Sequence, residues 1–106
     1  PKVLVYGAGM RCLFFLTNHY CRIEEEPFDV IGIIDDNPAL LGQTVYGYKV
    51  LGDSEHLSEI IQSKKIDKIV LTCKLSDISK NKNLSEFCKK NNIRFSVFNI
   101  EEKVYD

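Results

Sequence analysis

The chain predicts an α/β domain: a three-layer, doubly wound and mainly parallel sheet of four or five strands. Three observations carry that expectation. Short apolar runs at Lys2–Tyr6, Asp29–Ile34 and Ile66–Cys73 read as strands buried on both faces. Between them lie stretches with apolar residues at helical spacing, and Gly, Pro, Asn and Asp punctuate the joins. Strands that alternate with helices pair in parallel through right-handed crossovers. At 106 residues the chain reads as one domain, residues 1–106, able to bury roughly 60–70% of its unfolded surface. Its composition, 44% hydrophobic and 27% charged, is that of an ordinary globular domain and gives no reason to expect disorder.

In order, Lys2–Tyr6 is the first and central strand. Met10 to about Cys21 forms a helix that is apolar nearly all round, so burial against sheet and neighbours is expected. Pro27 cannot continue it, and Asp29–Ile34 follows as the second strand. Asp35–Gly42 is turn-rich, with Asn37-Pro38 as the breaker. Thr44–Tyr46 and Lys49–Leu51, around Gly47, are expected to form a small ribbon or a short third strand at the sheet edge. Gly52-Asp53-Ser54 starts a second helix, whose buried face carries Leu57, Ile60 and Ile61. Ile66–Cys73 is the next strand. Lys74–Asn83 is polar and reads as a loop leading into a third helix with Leu84, Phe87 and Cys88. Lys89-Lys90-Asn91-Asn92 suits a helix end, with cations at the negative terminus and Asn able to adopt a left-handed cap. Arg94–Phe98 alternates as a half-exposed strand, and Ile100–Asp106 is a tail.

The first strand runs into Gly7-Ala8-Gly9-Met10-Arg11-Cys12. Gly7 permits a sharp turn off the strand. Gly9, without a Cβ, lets phosphates approach the backbone where the helix presents unpaired N–H groups and partial positive charge. Asp35-Asp36 closes the second strand at the distance usual for a ribose-binding carboxylate. Together these are two parts of a dinucleotide-binding fingerprint, in which Cys12 stands where a third glycine is usual. A residue that small admits close helix–strand packing with a slight outward shift. The expected site is therefore Gly7, Ala8, Gly9 and Met10 around a diphosphate, Arg11 at its edge, Asp35 or Asp36 on a ribose diol, and Lys74 within reach of a phosphate. A carboxylate at the ribose disfavours the 2′-phosphate of NADP by like-charge repulsion. The plainer alternatives are an exposed Arg11, an Asx-type turn at Asp36, a solvent Lys74 and a Rossmann-like scaffold that has lost its ligand.

Catalytic signatures are absent. A Tyr-x-x-x-Lys base pair fails at every tyrosine with four residues after it: Met10, Glu24, Val50 and Gly52 stand four residues past Tyr6, Tyr20, Tyr46 and Tyr48. There is no phosphate-loop Gly-Lys-Ser/Thr and no nucleophile elbow. Cys12, Cys21, Cys73 and Cys88 form no C-x-x-C pair, and His19 and His56 lack ligand-spaced partners, so no metal is expected. Buried thiols in a reducing cytoplasm account for the cysteines. From Gln62 to Arg94 nine Lys/Arg face three acids, while the remainder is acidic, notably Glu24-Glu25-Glu26. Such a half could face anionic lipid or nucleic acid, yet helix faces in solvent look the same. Without aromatic interleaving, no nucleic-acid partner is expected. No apolar run reaches the ~18 residues of a membrane span, and no signal peptide is expected. The start at Pro1, directly on a strand, reads as a piece of a longer protein.

Val3-Leu-Val-Tyr-Gly-Ala-Gly9, Val30-Ile-Gly-Ile-Ile-Asp-Asp-Asn-Pro38 and Leu41-Gly-Gln-Thr-Val-Tyr-Gly-Tyr-Lys-Val-Leu-Gly52 give the chain a family likeness. So do Ile66-Asp-Lys-Ile-Val-Leu71 and Glu86-Phe-Cys-Lys-Lys-Asn-Asn-Ile-Arg-Phe95. Over nearly its whole length it resembles the Rossmann-like domain of bacterial polysaccharide-biosynthesis proteins. That domain precedes the catalytic domain of membrane-bound nucleotide-sugar 4,6-dehydratases and epimerases. A similar one follows the membrane part of some polyprenyl-phosphate sugar-1-phosphate transferases, and a related one heads sugar O-acyltransferases with a left-handed β-helix. The resemblance implies a cytoplasmic, non-catalytic module with a pocket for NAD(H) or a UDP-sugar. Its partners would be the nucleotide or nucleotide-sugar, the rest of a membrane-associated parent chain and, as a homo-oligomer, copies of itself. The alternative is a vacant scaffold serving oligomerisation or allosteric regulation.

Overall fold

The computed structural model describes residues 1–18, 28–72, 78–98 and 105. Its elements are β1 (Lys2–Tyr6), α1 (Met10–Asn18), β2 (Asp29–Ile34), β3 (Thr44–Val45), β4 (Tyr48–Gly52), α2 (Leu57–Lys64), β5 (Lys68–Leu71), α3 (Ile78–Lys90) and β6 (Arg94–Val97). They form one six-stranded sheet in the order β3-β4-β2-β1-β5-β6. All pairings are parallel except β3 with β4, a hairpin turned by Tyr46 and Gly47, both at positive φ. The expected ribbon and the expected edge strand are thus one object: the hairpin's second arm joins β2. The first arm, the two-residue β3, takes the sheet to six strands rather than four or five.

Strand β1 is central, flanked by β2 and β5, so the sheet's winding reverses at the end of the glycine turn. Its residues alternate between two cores, as the period-2 geometry of a strand requires. Val3 and Val5 face α1, packing with Ala8, Cys12, Phe15, Leu16, Ile33, Val50 and Val70. Leu4 and Tyr6 face the opposite layer, with Leu57 of α2, Leu84 and Cys88 of α3, and Ile34, Ile69 and Leu71. Burial on both faces is why β1 and β5 read as unbroken apolar runs.

Helix α1 departs from expectation in one respect. Phe15 and Cys12 are fully buried, but Met10 and Phe14 are 63% and 45% exposed. With α1 alone on its face of the sheet among the described helices, only one stripe of it meets the core. Helix α3 begins at Ile78, earlier than expected, and takes in residues up to Asn83 that were read as loop. Its polar first turns have no apolar periodicity to announce them. Helix α2 enters through a 3₁₀ turn at Ser54–His56, where Asp53 accepts the His56 N–H. It ends on Lys65 in the left-handed conformation, and Asn92 adopts the same conformation after α3, as its sequence position suggested. Residues 19–27, 73–77 and 99–104 and 106 lie outside the described set, and with them the readings made for His19, Cys21, Cys73, Lys74 and the tail.

Candidate functional site

The carboxyl end of the sheet gathers most of the residues singled out above. Gly7 leaves β1 at φ +113°, donating its N–H to the Ile34 carbonyl at 2.7 Å. A Cβ there would stand 2.7 Å from the Thr72 carbonyl oxygen and 2.8 Å from its Oγ1. The turn is therefore glycine for two reasons, backbone conformation and contact with β5's end. Thr72, the one buried polar residue among those described, fastens that contact: its hydroxyl lies 3.1 Å from the Tyr6 carbonyl oxygen and 3.0 Å from that of Gly7.

Gly9 is different. A Cβ there would meet nothing within 4 Å, and its φ is unexceptional. Nothing in the fold requires glycine at this position, so the open space above it is available to a ligand. The Gly9 carbonyl accepts the Cys12 and Leu13 N–H groups, which makes Gly9 the cap of α1. The Met10 and Arg11 N–H groups then have no intrahelical acceptor. Arg11 brings a further donor: its Nε is buried and without a hydrogen-bond partner among the described residues. An orphaned guanidinium nitrogen in the first turn of a helix whose start is open is a donor that an anionic group can satisfy.

The two aspartates divide the work. Asp35 binds backbone with both oxygens, Oδ2 accepting the Ala8 N–H and Oδ1 the Asn37 N–H, each at 2.8 Å. The Asx-type turn suggested for Asp36 thus belongs to Asp35. Asp36 reaches the other way: Oδ1 accepts the Ser54 N–H at 2.8 Å and Oδ2 accepts the Tyr6 hydroxyl. Burial and the Asp36 carboxylate push the Tyr6 phenol well above its ordinary range, against an opposing hydrogen bond from Ser54. At neutral pH this phenol keeps its proton and serves as a donor, not as a base. Burial likewise raises the Cys12 thiol to about 11, with the Asp35 charge adding to the effect. It remains a thiol and a packing residue.

Tyr6, Asp36 and Ser54 form the polar wall of a cleft of ≈ 480 Å³ between α2 and α3, closed by Leu57, Asn83, Leu84 and Phe87. Such a mix of apolar lining and a few polar groups is usual for small-molecule sites. A smaller cavity, ≈ 160 Å³, opens on the α1 face among Val3, Phe15, Phe28, Lys68 and Val70. It lies towards the amino ends of the strands, away from the glycine turn. Sequence reasoning found the turn and the aspartates but missed Thr72, Ser54 and the cleft wall. Tyr6, expected at the crevice with the glycine turn and the aspartates, lines the cleft because the alternation that points Leu4 into the α2–α3 layer points Tyr6 there too. Among the described residues no three potential metal ligands come together, and no helix is long and apolar enough to cross a membrane.

With this geometry in view, three comparisons with solved structures are informative. UDP-D-quinovosamine 4-dehydrogenase from Vibrio fischeri superposes with a TM-score of 0.70 over 93% of this chain and 79% of that one, at 23% identity. The likeness is one of fold. RSP, a Rex-family repressor, gives 0.66 at 27% identity over 99% of this chain. Its complex with β-NADH gives 0.65 at the same identity. The chain spans about half the length of the repressor, 48% and 49% in the two structures. No curated protein matches significantly. The family model for the CoA-binding domain matches residues 3–98, from the first buried strand to the end of the last. By that match, and with a doubly wound sheet around a glycine turn to go with it, the chain belongs to the CoA-binding domain family.

Proposed function

We propose that the domain binds NAD(H) or a UDP-sugar as the non-catalytic nucleotide module of an enzyme of cell-surface polysaccharide biosynthesis. The observation that carries this reading is Gly9: a Cβ there would face open space at the start of α1, the helix whose first turn also holds the unpartnered Arg11 Nε. The diphosphate is assigned to the Gly7–Arg11 backbone and the Arg11 guanidinium, where a helix start favours negative charge. The nucleoside half is assigned to the cleft behind Tyr6, with Asp36 at the ribose and Leu57, Leu84 and Phe87 around the base. Asp36 is preferred to Asp35 because Asp36 lines the cleft, whereas Asp35 is spent on the glycine turn and Asn37. Lys74 is retained as a phosphate contact on sequence grounds alone. The dehydrogenase supports the sugar-nucleotide setting and the NADH-bound repressor supports the cofactor class, each by likeness only. Attachment to a membrane-associated parent in the cytoplasm, and self-association, belong to the same proposal.

The Asp35 arrangement favours a second reading. A turn whose fingerprint carboxylate is consumed internally is stable without ligand, as a vacant scaffold for oligomer contacts or regulation would be. Thermal unfolding with NAD⁺, NADH, NADP⁺, UDP-N-acetylglucosamine and coenzyme A separates the two. A ligand at 100 times its dissociation constant adds about 2.7 kcal/mol, several degrees in a domain of this size. A selective shift that Gly9→Val abolishes supports the nucleotide site and names its ligand. No shift with any of the five favours the scaffold.

A further inference from the structure

Parallel strands linked through helices send every helix end and strand start to the same edge of the sheet, the one opposite the glycine turn. Helices α2 and α3 lie on one face, and each feeds one of two neighbouring strands, β5 and β6. Their last residues, Lys64 with Lys65 and Lys89 with Lys90, are therefore brought side by side. The connecting loops touch: the Arg94 N–H donates to the Asp67 carbonyl at 3.0 Å, and Lys68 pairs with Arg94 in the ladder. Ile66, Cys88 and Ile93 share one core cluster beneath them. Lys64, Lys65, Lys89, Lys90 and Arg94 are exposed and Lys68 is half-buried. Lys2, exposed at the start of β1, extends the array, while Asp29 and Asp67 are acids at this edge and exposed Glu86 stands one turn before Lys90.

Cations at helix ends complement the helix dipole, but one per helix would do so. Two doublets go beyond that, while Lys68 and Arg94, which line the small cavity, lie on the α1 layer of the same edge. Their chemistry also narrows the partner. All four residues of the doublets are lysines, compact point charges on flexible stems, unsuited to the bidentate recognition of individual phosphates that arginine performs. None of Lys64, Lys65, Lys89 and Lys90 adjoins an aromatic residue in sequence on which a base could stack. We propose that this amino-terminal edge docks on an anionic lipid surface, holding the carboxyl-terminal edge and its cleft turned toward solution.

The test is co-sedimentation of the chain with vesicles of phosphatidylcholine containing about 30% phosphatidylglycerol, a charge density at which clusters of lysines bind membranes. Binding is expected at low salt, weakening as salt rises, with none to pure phosphatidylcholine. Replacing Lys64, Lys65, Lys89 and Lys90 together by Gln should weaken it at least about tenfold, whereas Lys→Arg at the same positions should preserve it. Lys49→Gln, on β4 outside the array, should leave it unchanged. Thermal unfolding of each variant checks that the fold persists. No binding to anionic vesicles at low salt overturns the proposal, as does equal binding by the four-Gln variant. Tighter binding to an RNA or DNA oligonucleotide than to the vesicles, lost in that same variant, also overturns it in favour of nucleic acid. None of these outcomes depends on whether a nucleotide binds at the opposite edge.

Discussion

Asp35 Oδ2 accepts the Ala8 N–H at 2.8 Å, so the end of β2 grips the middle of the glycine turn. Its other oxygen holds Asn37 N–H, and the carboxylate thus couples two loops that meet only in the folded state. Asp35→Ala leaves both donors unpaired in a half-buried place and should cost roughly 2 kcal/mol, read from urea denaturation. Asp35→Asn retains one acceptor oxygen and should cost less.

The two glycines of the turn should separate cleanly. Gly7→Ala meets the Thr72 carbonyl at a φ that side chains rarely adopt, and is expected to destabilise the domain by roughly 2–4 kcal/mol. Gly9→Ala meets nothing and should fall within about 1 kcal/mol of the parent by the same measurement. A large loss for Gly9→Ala would show that its space is needed by the fold rather than by a ligand.

Tyr6 gives an alkaline signature. Its phenol has a pKa in the folded state above the ordinary value of 10. The stability this represents is complete below pH 10 and is lost as the pH rises beyond it, because the unfolded chain releases the proton first. Tyr6→Phe should cost about 1–2 kcal/mol at neutral pH through the lost bond to Asp36. The difference between the two proteins should shrink above pH 10, followed through denaturation midpoints from pH 7 to 11.

At the entry to α2, His56 Nδ1 lies 2.6 Å from Asp53 Oδ1. The carboxylate raises the imidazole pKa above 6.5, and the imidazolium lowers the carboxyl pKa below 3.8. The histidine's part is complete below 6.5 and fades as pH rises through its folded value; the aspartate's is complete above 3.8 and fades on acidification. Their joint contribution peaks between those values. Asp53→Asn keeps a cap but removes the charge, so its cost should be greater at pH 5 than at pH 8 by urea midpoint.

How far the sequence discloses all this depends on the length scale of each interaction. Val3–Tyr6 and Ile69–Leu71 announce themselves because a doubly buried strand must be apolar throughout. Gly7 and Asp35 announce themselves because a turn and a strand end have local chemical requirements. The exchange of roles between Asp35 and Asp36 is not local. It is decided by Tyr6, thirty residues earlier, and by the Ser54 N–H, eighteen residues later. The early start of α3 is hidden for another reason: the sequence Ile78-Ser-Lys-Asn-Lys-Asn83 has a single apolar residue, so no period betrays the helix.

The central place of β1 also sets when the chain can fold. Its two partners begin at Asp29 and Lys68, so neither edge of the first strand is satisfied by neighbours in sequence. Contacts of such long range slow folding, since loop closure must precede any gain from pairing. As the chain leaves the ribosome, the glycine turn is made first and finished late. Until Thr72 has emerged, β1 waits with one side bare, exposed to chaperones and to the unpaired strands of neighbouring chains.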